Sequence, residues 1–171
     1  MLATPTIRPA TASDKEAVFR VNKEAFPEED VAALVDELRA NGNLALSLVA
    51  ELDGEVVGHV GFSPVTLEPE APGLRALQLS PLAVRPAWQR RGIGGALVRE
   101  GLARCAETGV DAVFLLGHPE YYPRFGFRHA RELGVHYQDD RDAFMGIELR
   151  PGALTGIDAQ LKLSPEFDRF V

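Results

Sequence analysis

Apolar residues recur every three to four positions in several stretches of the chain, the spacing that predicts amphipathic helices. The first helix follows Ser13, and Ser13 with Glu16 has the spacing of a capping box. The second begins within residues 27–30 and ends at Asn41-Gly42, a pair that stops helices. The third runs to about Glu107, and its apolar side is formed by Ile93, Leu97, Leu102 and Cys105.

Extended segments with alternating or continuous apolar residues lie between these helices. Asp53-Gly54 is a preferred turn for a two-residue antiparallel hairpin. Pro81 interrupts one apolar run, so we expect this strand to have a bulge or to lie where pairing is lost. The predicted strands are Thr6–Arg8, Leu44–Leu52, Glu55–Phe62, Ala76–Val84, Ala112–Leu116, Phe127–Ala130 and Phe144–Leu149.

The order of these elements predicts an α+β fold in which helices pack on a mixed, mostly antiparallel central sheet. His118-Pro119 opens a short turn or helix near the end of this pattern. We expect one domain over residues 1–150 and a C-terminal extension over residues 151–171 that packs on the domain or in an oligomer interface. The apolar residues of this extension are Leu161, Leu163, Phe167 and Phe170.

Composition places the chain in an ordinary class, with 46% hydrophobic and 25% charged residues, as in soluble globular proteins. The formal net charge of −7 argues against nucleic-acid or membrane-surface partners, which bind basic proteins. A single cysteine excludes an internal disulfide and a multi-cysteine zinc site. With no signal-like or membrane-length apolar segment, we expect a cytoplasmic protein.

Charge is distributed unevenly along this acidic chain. Residues 85–104 contain five arginines and one acidic residue, Glu100. Such a basic stretch is either a solvated helix face or a site for a small polyanion such as a phosphate-bearing cofactor.

Within this stretch lies a glycine-rich turn, Gln89-Arg90-Arg91-Gly92-Ile93-Gly94-Gly95-Ala96, between a predicted strand and a predicted helix. Glycines there let the backbone approach a ligand, and the N–H groups of a helix N-terminus bind phosphate oxygens. The alternative is a turn that only allows tight packing of strand and helix. Leu97 occupies the position of the third glycine of a dinucleotide fingerprint, and the Lys of a P-loop is missing.

Two motifs resemble the GNAT superfamily of N-acetyltransferases. Gln89-x-x-Gly92-x-Gly94 is similar to its Q/R-x-x-G-x-G/A pyrophosphate loop, and Tyr122-x-x-x-Gly126-Phe127 resembles its Y-x-x-x-G-F segment. Residues 118–127 look most like the YhbS-like group of bacterial acetyltransferases. The resemblance covers about residues 7–149. It implies a GNAT-type sheet with helices on both faces and a V-shaped splay between the strands Ala76–Val84 and Ala112–Leu116.

The resemblance also implies a co-substrate, acetyl-CoA, and no metal. In the family, backbone groups of the strand before the loop hold the pantetheine arm, and N–H groups of the loop hold the pyrophosphate. Carried over to this chain, cofactor binding falls to Leu82, Ala83, Val84, Gln89, Arg90, Arg91, Gly92, Ile93, Gly94, Gly95, Ala96, Tyr121 and Phe125.

By the same resemblance, Tyr122 is the candidate general acid for the departing thiolate. A phenol of pKa about 10 is a reasonable donor to a thiolate whose pKa is near that of cysteine, about 8.5. The alternative for Tyr122 is an aromatic side chain that packs on the cofactor or core. The adjacent Tyr121 has the less favourable spacing, and Pro123 indicates a shortened turn here.

The base that deprotonates the acceptor amine is less clearly marked. Where some family members have a glutamate, the strand before the loop offers only Gln78 and Ser80. His118 is the catalytic candidate because it follows the strand Ala112–Leu116. The other candidates are His59, better explained as a structural histidine, and Glu28 and Glu29, better explained as helix-start residues. Deprotonation relayed by water needs no dedicated base.

The predicted function is therefore an acetyl-CoA-dependent N-acetyltransferase that acts on a primary amine of a small molecule or peptide by direct attack in a ternary complex. The alternatives are a CoA-binding sensor or scaffold with weak activity, and an acyltransferase that uses another acyl-CoA or a hydroxyl acceptor. We expect a monomer or homodimer with no nucleic-acid or membrane partner.

Overall fold

The computed structural model describes residues 4–138 and 141–170 and divides them into two compact units. Unit 1 contains residues 4–63 and 80–101, and unit 2 contains residues 64–79, 102–138 and 141–170. Within these described ranges, no helix is long and apolar enough to cross a membrane.

Strands and helices follow one another along the chain in an α+β order. They are β1 (Thr6–Pro9), α1 (Lys15–Ala25), α2 (Val31–Ala40), β2 (Leu46–Leu52), β3 (Glu55–Pro64), β4 (Thr66–Glu68), β5 (Ala76–Val84), α3 (Ile93–Glu107), β6 (Ala112–Leu116), β7 (Arg128–His129), β8 (Val135–His136), β9 (Phe144–Glu148) and β10 (Ala159–Lys162). Short 3-10 turns lie at Ala12–Asp14, Pro86–Trp88, Tyr122–Phe125, Ala130–Leu133 and Pro165–Phe170.

In unit 1, β2 pairs with β1 on one side and with β3 on the other, both in antiparallel orientation. The predicted hairpin joins β2 and β3. Leu52 pairs with Glu55 across the turn, in which Asp53 has a φ of 50° and Gly54 a φ of 78°. Positive φ at both central residues is the geometry of a type I′ turn, which matches the twist of the strands. The Asp53-Gly54 prediction is confirmed.

Helices of unit 1 pack on both faces of β2 and β3. Successive residues of a strand point to opposite faces, so Val49 faces one helix layer and Ala50 faces the other. Val49 packs with Val18 of α1 and Val35 of α2 in one buried cluster. On the opposite face, Gly58 of β3 lies against Leu97 and Ile93 of α3 and against Ala50, so α3 approaches the strand closely.

The predicted capping box at Ser13 is wrong by two residues, because Thr11 and Asp14 form the box at the start of the 3-10 turn Ala12–Asp14. Helix α1 itself begins one residue later than predicted. Thr11 N–H, not that of Ser13, donates to a downstream carboxylate, Asp14 Oδ2, at 2.7 Å, and α1 begins at Lys15. Asp14 is held in place by two hydrogen bonds from the Arg8 guanidinium, at 2.8 and 2.9 Å. The pKa of Asp14 consequently lies well below its usual range. The contact with Arg8 of β1, six residues earlier in the chain, therefore stabilises this cap.

The second and third helices agree more closely with the sequence. Helix α2 starts at Val31 rather than within the predicted 27–30 and stops at Asn41, after which Gly42 has a φ of 74°. Helix α3 ends at Glu107 as predicted. The apolar stripe of α2 is buried, at Val31, Ala32, Leu34, Val35 and Leu38.

In unit 2, β6 pairs with β5 in parallel and with β9 in antiparallel orientation, and β9 pairs with β7. The bounds of β6 are those predicted. Its register with β5 covers only Ala76–Gln78 against Ala112–Phe114, although β6 continues to Leu116. The early end of this ladder agrees with the expected separation of the two strands.

A small second sheet of unit 2, formed by β4, β10 and β8, was not predicted. Strand β10 lies in the region expected to form an extension, and its Leu161 is buried in a cluster with Phe114 and Phe144. Strands β4 and β8 are three and two residues long, too short for periodicity to reveal. The predicted strand over 127–130 is shortened to Arg128–His129 because Ala130 begins a 3-10 turn.

The close approach of α3 to β3 can be tested at Gly101. A Cβ at Gly101 would lie 2.6 Å from two ring atoms of Phe62. We expect Gly101→Ala to lower the free energy of unfolding by about 1–2 kcal/mol in urea denaturation, because overpacking outweighs the better helix propensity of alanine. Adding Phe62→Leu should recover part of this loss. A Gly101→Ala protein as stable as wild type would contradict the packing.

Candidate functional site

The glycine-rich turn of unit 1 has the geometry of an anion site. The first i to i−4 hydrogen bond runs from Ala96 N–H to Gly92 O at 3.1 Å, so the N–H groups just before Ala96 have no partner one turn back. Arg90 has a φ of 64° and Gly92 a φ of 83°. A Cβ on Gly92 would meet nothing within 4 Å, so glycine is required here by backbone conformation and the turn stays open.

Electrostatics of the turn favour an anion. Helix α3 has no acidic residue in its first turn, so nothing opposes the positive end of its dipole. Arg90 is exposed, and the Arg91 guanidinium lies 5.1 Å from the ring centroid of Trp88. Arg85 differs, because Glu24 and Glu55 hold it at 2.7 and 3.1 Å. Positive charge at the turn therefore comes from Arg90 and Arg91, not from Arg85.

Gln89 connects this turn to the end of β5. Its side-chain Nε2 donates to Val84 O at 3.0 Å, and Arg85 N–H donates to Val57 O of β3 at 2.9 Å. Sequence reasoning assigned Gln89 to the cofactor, whereas the structure gives its amide a partner within the chain. This hydrogen bond fixes where the turn leaves the strand.

The remaining predicted cofactor residues of unit 1 differ in burial. Ala83 is buried, while Leu82 and Val84 are half-buried. Ile93 is only 2% exposed and its side chain packs near Gly58, so only its backbone N–H is available to a ligand. The glycines Gly94 and Gly95 lie in the first turn of α3.

In unit 2, the tyrosine segment forms the shortened turn that Pro123 indicated. The 3-10 turn covers Tyr122–Phe125, and Gly126 closes it with a φ of 102°. The N–H groups of Tyr121 and Tyr122 both donate to His118 O, at 3.1 and 3.4 Å. His118 therefore anchors the turn through its carbonyl oxygen while its side chain is exposed.

Tyr122 is the buried aromatic residue of this segment, with 9% exposure. Its ring makes edge contacts with Tyr121 and Phe127, at centroid distances of 5.0 and 5.8 Å. Burial, together with the neighbouring Tyr121, raises the pKa of Tyr122 to about 12. The phenol is thus a protonated donor at neutral pH, and a weaker acid than sequence reasoning assumed.

Tyr121 and Phe125 lie beside this ring and are half-buried. Arg124 holds Tyr121 in two ways: its guanidinium lies 4.4 Å from the ring centroid, and its Nε donates to Tyr121 O at 2.7 Å. Tyr121 and Phe125 contact each other edge-on at 5.3 Å. The segment is therefore a single aromatic cluster with one charged residue at its rim.

His59 is a structural histidine. It is fully buried, with Nδ1 3.1 Å from Asn22 Nδ2 and Nε2 2.9 Å from Ser47 Oγ. Asn22 Nδ2 also donates to Val18 O, so it is the donor to Nδ1, and the ring proton resides on Nε2. Burial, aided by the charge of Arg39, lowers the pKa of His59 to about 3. Its position excludes it as the general base.

Gln78 is a residue whose environment the sequence did not reveal. It is 4% exposed, and its Oε1 has no hydrogen-bond partner among the described residues. It lies at the last pair of the β5–β6 ladder, opposite Phe114, and lines a crevice of otherwise apolar or aromatic side chains. A buried, unpaired amide oxygen is unfavourable for folding by about 1–3 kcal/mol. Asn22 Oδ1 and Ser63 Oγ are likewise buried without a partner among the described residues, so this state does not by itself mark a functional residue.

Residues 6–130 match the family model described as the acetyltransferase (GNAT) domain. The chain belongs to the GNAT acetyltransferase family. The predicted family and enzyme class, an acyltransferase, are confirmed. Within residues 4–138 and 141–170, no group of three or more His, Cys, Asp and Glu residues could hold a metal ion.

Relatives within the GNAT family cover nearly the whole chain. The N-acetyltransferase YhbS of Escherichia coli is 35% identical over 167 residues, 96% of this chain and 99% of YhbS. The structure of YhbS with CoA matches with a TM-score of 0.93 and 33% identity, over 100% of this chain and 96% of that chain. A GNAT acetyltransferase from Brucella melitensis, solved with acetyl-CoA, matches with a TM-score of 0.81 and 34% identity, over 96% and 98% of the two chains. The predicted GNAT fold with a mostly antiparallel sheet is confirmed.

A relative with a more specific name is the N-alpha-acetyltransferase of Sulfolobus acidocaldarius. It is 31% identical over 153 residues, which cover 81% of this chain and 89% of that protein.

The buried His59 makes stability depend on pH. Its pKa is about 3 in the folded chain and about 6.5 in the unfolded chain, so between these values the unfolded state binds more protons. Stability therefore falls as the pH is lowered through this window, by up to about 1.4 kcal/mol per unit. Urea denaturation at pH 5 and 7 should show a steeper loss for wild type than for His59→Gln. Equal losses would show that His59 is charged or exposed.

Proposed function

We propose that this chain is an acetyl-CoA-dependent N-acetyltransferase that transfers an acetyl group to a primary amine of a small molecule or peptide. The observation that carries the proposal is the open glycine-rich turn at the N-terminus of α3, with two left-handed residues, N–H groups that have no partner one turn back and no acidic residue in the first helical turn. We further propose a bacterial, cytoplasmic protein that acts as a monomer or homodimer.

The turn fits a pyrophosphate. N–H groups of residues 91–95 can converge on phosphate oxygens, since the Ala96 N–H is already bonded to Gly92 O, and Arg90 and Arg91 supply positive charge beside them. Binding of CoA by YhbS and of acetyl-CoA by the Brucella protein supports the same assignment here.

Acetyl-CoA supplies an acetyl group activated as a thioester. In this proposal the backbone groups of Leu82, Ala83 and Val84 bind the pantetheine arm as an added strand would. Gln89 assists indirectly, because its hydrogen bond to Val84 O sets the distance between this strand segment and the turn.

Tyr122 is the proposed general acid, and its Oη donates a proton to the departing thiolate. Its raised pKa keeps the hydroxyl protonated at neutral pH. Burial raises the pKa of a thiol as well as that of a phenol, so a thiolate formed in equally dry surroundings accepts this proton more readily than one in water.

Removal of a proton from the acceptor amine is assigned to His118 or to water. His118 is exposed at the start of the tyrosine turn and is free of the burial that disables His59. An amine of pKa about 10 must lose this proton before it attacks the thioester.

The acceptor proposed here, a primary amine, is supported by a named relative of the chain. The N-alpha-acetyltransferase of Sulfolobus acidocaldarius adds peptide α-amines to the acceptors worth testing.

Cofactor binding can be tested at the turn. We expect Gly94→Glu to abolish acetyl-CoA and CoA binding in calorimetric titration, because its carboxylate opposes the phosphates and its side chain fills the approach. Ala103→Glu, the same charge change on an exposed position of α3, should bind like wild type. ATP and NAD serve as ligand controls. Retained acetyl-CoA affinity in Gly94→Glu would refute the turn as the pyrophosphate site.

The acid role can be tested with Tyr122→Phe. We expect kcat to fall by about 10²-fold while acetyl-CoA affinity stays nearly unchanged, because only the hydroxyl is lost. Thiol release would be followed with spermidine, tyramine and a tetrapeptide that has a free α-amine. A loss of affinity instead would make Tyr122 a packing residue, and acetyl-CoA binding without turnover in wild type would favour a sensor.

A further inference from the structure

Gly117 is the first residue after β6 and is fixed by its backbone. Its N–H donates to Ala143 O at 2.9 Å. Its φ lies outside the left-handed region, so the backbone conformation would accept any residue. The need for glycine must therefore come from its surroundings.

The surroundings of Gly117 are dominated by the ring of Tyr122. An ideal Cβ on Gly117 would lie 2.5 Å from Tyr122 Cε2 and 3.1 Å from Cδ2, with Leu115 Cδ1 at 3.2 Å. Contacts below 3.0 Å are essentially never found for a real Cβ, so a methyl group here would force the ring to move. The ring of Tyr122 thus lies against a backbone that carries no side chain.

The ring also has aromatic neighbours. Phe127, which is 3% exposed, and Phe125 lie at centroid distances of 5.8 and 6.2 Å, and Tyr121 lies at 5.0 Å. The backbone of Tyr122 is tied to His118 O, which limits movement of the turn. If a side chain at residue 117 displaced the Tyr122 ring, the ring would therefore have to rotate away from its aromatic neighbours, and the hydroxyl would move with it.

We propose that Gly117 is a positioning residue that fixes the Tyr122 hydroxyl by leaving space for the tyrosine ring. The inference rests on the proposed function only for its catalytic consequence, because the contact between Gly117 and Tyr122 exists whatever reaction the chain performs.

The position of the ring can be read by NMR of protein labelled with ¹³C-tyrosine. The chain has three tyrosines, and the resonance lost in Tyr122→Phe identifies Tyr122. In wild type we expect this resonance not to titrate up to about pH 11, whereas in Gly117→Ala it should titrate near the ordinary phenol pKa of about 10. An unchanged titration in Gly117→Ala would overturn the proposal.

Turnover is the second measurement. It uses acetyl-CoA and whichever of spermidine, tyramine and the tetrapeptide is acetylated fastest. Gly117→Ala should lower kcat to about the level of Tyr122→Phe, roughly 10²-fold, with the KM for acetyl-CoA little changed. The double variant should be no slower than Tyr122→Phe, because both changes remove the same group. Losses that multiply would indicate a separate structural defect and overturn the positioning role.

Should Gly117→Ala fold poorly, Gly117→Ala with Tyr122→Leu decides the matter. Leucine lacks the ring atoms that a Cβ would meet, so Gly117→Ala should lower the Tm much less in the Tyr122→Leu background than in wild type. An equal loss of Tm in the two backgrounds would show that the clash is not with Tyr122. Wild-type kcat in Tyr122→Phe would refute the acid role alone, and the NMR titration would still test the contact.

Discussion

The close packing of α3 on β3 places the glycine-rich turn. Gly58 on the strand and Gly101 on the helix have no Cβ, so Leu97 and Ile93 reach the first and the Phe62 ring reaches the second. This approach fixes the axis of α3, and the axis fixes the direction in which the N–H groups of its first turn point. A bulkier residue at either glycine would move the helix and with it the proposed pyrophosphate site.

Polar groups inside the chain fall into two kinds. His59 has partners for both ring nitrogens, and its neutral state joins α1 to β2 and β3 through Asn22 and Ser47. Gln78 has an amide oxygen with no partner among the described residues. The first arrangement stabilises the core at neutral pH. The second reduces stability by about 1–3 kcal/mol.

Two glycines also determine the conformation of the tyrosine segment. Gly117 leaves room for the Tyr122 ring, and Gly126 closes the 3-10 turn with a left-handed φ. The two glycines act for different reasons, one steric and the other conformational. Together they allow a short turn that contains Pro123 to hold a buried phenol.

Local patterns in the sequence were sufficient for elements whose causes are local. Turn chemistry and periodicity predicted the Asp53-Gly54 hairpin, the bounds of β6 and the end of α3. The two family motifs were found by their resemblance to the GNAT superfamily. Local patterns did not predict the cap at Thr11 or the strands β4, β8 and β10. They also did not predict the burial of Tyr122, the partners of His59 or the contact between Gly117 and Tyr122. Each of these depends on a partner distant in the chain or on close contact of side chains in space: Arg8 on Asp14, β10 on β4, a ring on a bare backbone. Spacing along a chain indicates which side chains share a face. Only packing decides which atoms touch, and those contacts set the pKa of Tyr122 and the hydrogen-bond partners of His59.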